Sequence, residues 1–185
     1  MSFYRRQIIF IVLMFSATIS FADADRAISI IDLASYVNED NLLVDCEVKY
    51  RVDKRVREAL NNGIEMTFVL EIELRQKKDF LLDPAHGRYV HEFRIKYHAL
   101  SKQYVVLEKD SNVERSFSDL YSAFYSQRNL KKALLANRKN LNLDEKLYIS
   151  ARAKLVSEKL PLPLRIKSYL SKDWRPSSGW TIWPI

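Results

Sequence analysis

The chain has 185 residues, 48% of them hydrophobic and 29% charged, with a formal net charge of +7. That length and apolar content suit one domain with a real core and exclude a disordered chain. A single cysteine, Cys46, rules out an intrachain disulfide framework, and three glycines leave too little for a phosphate-cradling loop or long flexible linkers.

The chain opens with Arg5 and Arg6, then a nearly unbroken apolar run from Ile8 to Ile19. Ser20-Phe21-Ala22 and Ala22-Asp23-Ala24 follow, two small-x-small cleavage patterns. The run is shorter than the ~20 residues of a comfortable membrane span. Residues 1–24 therefore read as a signal peptide and residues 25–185 as one exported domain, periplasmic or secreted, starting at Asp23 or Asp25. An inner-membrane anchor through residues 8–21 is the alternative. No cysteine ends the run, so it is not a lipoprotein signal.

A first strand is expected over 27–36, from Ile28, Ile30, Ile31 and Leu33. After the polar turn Asn38-Glu39-Asp40-Asn41, residues 42–52 alternate cleanly, with Leu42, Val44, Cys46, Val48, Tyr50 and Val52 opposite Asp45, Glu47, Lys49 and Arg51. Asp53 is placed to cap a short helix over about 54–61, and Gly63 stands where the chain leaving a helix needs positive φ. The helix would link two strands that pair antiparallel. The second of these, Ile64 to Leu74, is a long alternation broken only by Val69. Ile64, Met66, Phe68, Leu70, Ile72 and Leu74 share one face, and Glu65, Thr67, Glu71 and Glu73 define a wet one.

Residues 76–87 read as a loop around Asp83-Pro84 and Gly87. Residues 88–99 and 103–108 read as a hairpin turning at Ser101-Lys102. Ser118 is placed to cap a second helix to about Gln127, with Leu120, Tyr121, Phe124 and Tyr125 as its stripe. Residues 128–142 leave helix and loop both open. Residues 147–156 form a last clear strand, before a tail carrying Leu160-Pro161-Leu162-Pro163-Leu164. The fold expected is mainly β: six or seven mostly antiparallel strands in a two-layer immunoglobulin-like β-sandwich with two short helices. A partly open β-barrel is the alternative.

Chemistry-bearing residues are sparse. His91 and His98 lie on opposite faces of one strand, which argues against shared metal ligation, and His86 falls in a loop. Cys46 sits on an apolar face and reads as a buried thiol. Asp45, Glu47, Glu71 and Glu73 could serve a hydrolase only across a cleft, and read first as cross-strand partners of Lys49, Arg51, Arg94 and Lys96. No nucleophile elbow or metalloprotease helix motif occurs. No cofactor or metal is expected.

Charge is uneven: Asp25 to Gln127 carries 15 basic against 18 acidic residues, a net of −3, whereas Arg128 to Ile185 carries 13 against 4, a net of +9. Arg175, Lys131, Lys132, Arg138 and Lys139 could form a face for an anionic membrane surface or an acidic envelope protein; nucleic acid is a poor partner for an exported chain. Trp174, Trp180 and Trp183 are either a recognition patch or a closing strand. In the closing-strand reading, Trp180 shares a face with Ile182 and is core, while Trp183 is the more exposed.

The signal-like start, the alternating strands, Leu160-Pro161-Leu162-Pro163-Leu164 and Asp173-Trp174-x5-Trp180-x2-Trp183 together resemble a family of small exported proteobacterial proteins, the domain-of-unknown-function family numbered 4390, sometimes labelled proline-rich signal peptide proteins. The resemblance covers nearly the whole domain, although this chain is poor in proline. It brings no catalytic residue. Its genes often lie near a membrane sensor kinase of nitrogen-regulation type, which implies an envelope-signalling context. The expected function is an exported, non-enzymatic binding or interaction module. A carrier of an apolar ligand between two sheets, or a hydrolase using the strand carboxylates, are the alternatives.

Overall fold

The computed structural model describes residues 27–51, 53–77, 83–137, 139, 141 and 146–185. The signal-peptide reading, the choice of Asp23 or Asp25, Val52 and Arg138 lie outside them. Nine strands and three short α-helices are present among the described residues. They are β1 (Ile28–Asn38), β2 (Asn41–Tyr50), α1 (Lys54–Asn61), β3 (Met66–Gln76), β4 (Ala85–His98), β5 (Gln103–Glu108), β6 (Glu114–Phe117), α2 (Leu120–Tyr125), β7 (Asn129–Asn137), β8 (Leu147–Leu155), α3 (Leu162–Leu170) and β9 (Thr181–Pro184).

The strands form two antiparallel sheets, one ordered β1-β2-β7 and one ordered β6-β5-β4-β3-β8-β9. The fold is a mainly β, sandwich-like pair of layers, and neither sheet closes into a barrel. Three helices stand where two were expected, because Leu162–Leu170 winds into α3. Its two prolines fall at the cap and the first turn, where a missing N–H breaks no helical bond.

The long alternation of β3 places it in the middle of the large sheet, between β4 and β8. Phe68, Leu70, Ile72 and Leu74 point into one core with Val44, Cys46 and Val48 of β2 and Ile149, Ala151 and Ala153 of β8. Contrary to expectation, α1 does not return the chain to a strand paired with β2. It carries the chain from the small sheet to the large one, burying Val56, Ala59 and Leu60. Asp53 does stand at its N-cap, but its side chain makes no capping hydrogen bond; Gly63 has φ +80° just past the end. At α2 the cap is Asp119 rather than Ser118, and its carboxylate accepts from the Ser122 backbone N–H at 2.8 Å.

The ambiguous stretch 128–142 contains β7, whose register against β2 shifts between Val44 and Cys46. The bulge comes at Lys131-Lys132, with Lys132 at φ 55°. Asp45 holds it: Oδ1 accepts from the Lys132 backbone N–H at 2.8 Å, and Oδ2 lies 3.1 Å from Lys131 Nζ. A second shift, between Ile30 and Asp32, turns Ile31 outward in β1. Gly87 of β4 lies tight against β7 of the other sheet, since a Cβ on Gly87 would lie 2.2 Å from the Leu135 carbonyl oxygen.

Candidate functional site

The four strand carboxylates do not share a cleft. Asp45 and Glu47 belong to the small sheet, and Glu71 and Glu73 to the large one. The expected wet face of β3 is also not wet, for Glu71 and Glu73 are only 7% and 8% exposed. Long cationic side chains from neighbouring strands lie over them. Arg152 donates to Glu71 through Nε and Nη2 at 3.0 and 2.6 Å. Arg88 reaches both carboxylates, at 3.2 Å for Glu71 and 3.6 Å for Glu73. Arg75 pairs with Glu73 at 2.6 Å, and Lys154 lies 3.6 Å from Glu71. Burial pushes the Glu71 carboxyl up, but the Arg152 hydrogen bonds and the charges of Arg152, Lys154 and Arg88 outweigh it and hold the group below the usual carboxylate range. A carboxylate so held is an ionised structural partner rather than a proton donor.

The tryptophans divide between faces. Trp183 lies opposite Ile149 and packs against the core. Trp180, 42% exposed, stacks over the Arg152 guanidinium at 4.5 Å and lies 5.9 Å from that of Arg75. The face assignment expected from sequence is therefore inverted. Trp180 does share a face with Ile182, but it is the outer face, fixed by the pairing of Ile182 with Ser150. Trp174 packs against the core from a 3-10 turn. The three rings form no single patch. The basic residues are equally scattered: Lys131 and Lys132 sit at the β7 bulge, Lys139 pairs with Asp40 at 2.6 Å, and Arg175 is exposed.

None of the three histidines of β4 offers a ligand pair; His86, expected in a loop, lies at the start of the strand, and His98 ends it. His91 Nε2 lies 3.1 Å from Gln127 Oε1, and His86 Nε2 lies 3.1 Å from Gln76 Oε1. Among the described residues no three His, Cys, Asp or Glu side chains converge as metal ligands. Cys46 is buried, and burial, with the nearby charges of Asp32 and Glu47, pushes its thiol up to about 12. Burial likewise raises the Tyr50 phenol.

A concave site that sequence reasoning missed opens where β2 ends. The last residues of β2, Val48 to Tyr50, and Arg51 after them line, together with α1 and α2, a cavity of about 370 Å³. Its inner wall belongs to a rigid aromatic cluster. Tyr50 packs edge-on to Phe68 and Phe93 at 6.0 and 5.6 Å and lies 5.4 Å from Phe124. Its outer wall is Tyr121 and Tyr125, four residues apart on α2 and stacked at 5.8 Å with their planes 27° apart. Both rings are exposed. Burial of Leu120, Ala123 and Phe124 fixes the opposite face of α2 against the core, which turns these tyrosines outward.

Every charged residue lining this cavity is cationic: Lys49, Arg51, Arg57 and Arg128. Arg128 is braced, its Nε donating to Glu47 at 2.9 Å and its guanidinium lying 5.7 Å from the Tyr125 ring centre. The volume suits a small molecule, and the lining suits one with a negative group and a flat or C–H-rich face. The signal was present in sequence as Lys49-Tyr50-Arg51 and Tyr121-x3-Tyr125, but only the packing of α1 and α2 brings them together.

The sequence profile of one family matches residues 25–184. The chain belongs to the domain of unknown function family DUF4390. The match spans the whole sandwich, from just before β1 to the last residue of β9. The matched residues thus include both sheets, the groove at α1 and α2, and the tail with its divided tryptophans. No curated protein and no solved structure matches the chain. Among the described residues, no helix is long and apolar enough to cross a membrane.

Proposed function

We propose that this DUF4390 chain is a non-enzymatic binding module of the cell envelope, and that the groove at α1 and α2 receives an acidic saccharide. The single observation that supports it is the groove's lining: among the described residues, four cationic side chains, Arg128 among them paired to Glu47, around a small cavity walled by paired tyrosine rings. Guanidinium groups recognise phosphate or carboxylate through paired N–H donors, and aromatic faces accept the apolar face of a sugar ring. The sequence features at residues 1–24 support export, and envelope polymers supply acidic sugars there.

The test is calorimetric titration with glucose 1-phosphate, with glucose and inorganic phosphate as controls. The sugar phosphate should bind measurably tighter than either half alone, and Tyr121→Ala and Arg57→Gln should each weaken it. Equal weak binding of all three probes, or unchanged binding by both variants, sinks the assignment. Export is tested separately: the protein recovered from cells should begin at Asp23 or Asp25 by mass spectrometry, and a full-length membrane-retained chain refutes it.

A further inference from the structure

Helix α3 carries its apolar side chains toward solvent. Leu162, Ile166, Tyr169 and Leu170 are 64%, 53%, 64% and 83% exposed. At about 100° per residue these four positions fall within an arc of roughly 100°. Ser168 is the buried residue of the helix, and Leu164 packs toward the core, so the protein holds α3 by the side away from that arc. The helix is thus fixed with its greasy face outward, which costs solvation unless something covers it.

The two cations of α3 bound that arc. Lys167 lies just beyond it on one edge and Arg165 on the other, by the same helical geometry. Lys167 is exposed, and Arg165 Nη2 is tied to the Leu160 carbonyl at 3.1 Å. Among the described residues α3 has no acidic side chain. Apolar arc, an exposed lysine at its edge and an interfacial tyrosine are the arrangement of a helix lying in the plane of a bilayer, with the lysine stem reaching up to headgroups. A protein groove would take the apolar arc equally well. What favours lipid is local charge: residues 160–177, which contain α3, carry Arg165, Lys167, Lys172 and Arg175 against Asp173, a net of +3, which an anionic surface attracts and a neutral groove does not use.

We infer that the outward face of α3 docks on an anionic lipid bilayer, seating the sandwich on a membrane surface without crossing it. This surface is separate from the groove at α1 and α2, so either can fail without the other.

The experiment uses the full chain and a local probe, so that the apolar N-terminal segment cannot produce the signal. Leu170→Cys is labelled with a polarity-sensitive nitrobenzoxadiazole dye under native conditions, where buried Cys46 is protected. Leu100→Cys, in the turn between β4 and β5 and 96% exposed, is the control site. Vesicles of phosphatidylglycerol mixed with phosphatidylcholine should shift the dye at position 170 to the blue and leave position 100 unchanged. Added salt should weaken the response, and Leu162→Ser with Ile166→Ser should reduce partitioning at least about tenfold, since both remove exposed apolar area. A dye at position 170 that ignores anionic vesicles overturns the inference. So does an equal response to phosphatidylcholine alone, because the charge argument then fails. A dye already blue-shifted before vesicles are added also overturns it, and points instead to a second copy or the chain's own N-terminal segment covering α3.

Discussion

Replacing Glu71 by glutamine removes one charge from the outer face of the large sheet while keeping the side chain's length and one carbonyl acceptor. In the parent, that carboxylate binds Arg152 at 2.6 Å and Arg88 at 3.2 Å, with Lys154 at 3.6 Å. Breaking a fully buried ion pair costs about 3–5 kcal/mol. Here the stranded cations keep access to water, with side-chain exposures of 28% for Arg152, 31% for Lys154 and 56% for Arg88. Rehydration offsets part of the cost, and about 2 kcal/mol is expected. For a domain of this size that is a fall in Tm of about 4–8 °C. The sign with pH follows from the depressed pKa of Glu71. The stabilisation is complete above the unfolded-chain value of about 4.3 and is lost as pH falls through the lower folded value. Urea unfolding of parent and Glu71→Gln should therefore show the full gap at about pH 7 and a shrinking one as pH falls below about 4. A gap below about 0.5 kcal/mol at neutral pH, or one unchanged into acid, would refute the view that these carboxylates act as ionised clasps.

The two closing tryptophans should differ in the order set by the sheet faces. Trp183→Ala, which empties a site against Ile149, should cost about 2–3 kcal/mol, whereas Trp180→Ala should cost about 0.5–1 kcal/mol through its lost stacking on arginine; thermal melts of both variants give the comparison. Gly87→Ala should destabilise the fold by about 2 kcal/mol or more in chemical denaturation, because the new methyl meets the Leu135 carbonyl and forces β4 from β7. Cys46 should react with a thiol reagent such as dithionitrobenzoate only in denaturant at neutral pH, its thiol being buried and raised to about 12; prompt reaction of the native protein would contradict that placement.

Periodicity carried much of the architecture. The alternations expected over 42–52, 64–74, 88–99 and 147–156 became the strands Asn41–Tyr50, Met66–Gln76, Ala85–His98 and Leu147–Leu155, because a side-chain period of two is imposed by the backbone whatever surrounds it. Where the backbone breaks its own period, the pattern failed. The bulge at Lys131-Lys132 shifts the register of β7 partway along, so its apolar residues never line up as one parity, and the segment looked like helix or loop. The stretch Leu160-Pro161-Leu162-Pro163-Leu164 gets no element from its pattern, although prolines at a helix start remove no needed N–H.

The sequence by itself determined which residues share a face, and with them the strand core, the buried cysteine and the uneven charge. It could not determine what covers a face. Glu71 and Glu73 belong to the polar side of β3, but Arg88 and Arg152 from two different neighbouring strands make that side dry and ionic. Trp180 and Ile182 do share a face, yet only the register of β9 on β8 decides that it is the outer one. The groove is the extreme case. Lys49 precedes the α1 crossover and Arg57 lies within it, while Tyr121 and Arg128 lie far along the chain, and their convergence depends on how α1 and α2 pack at the end of the sandwich. Such a site is made by long-range packing between segments whose local patterns are each satisfied alone, so no local pattern records it.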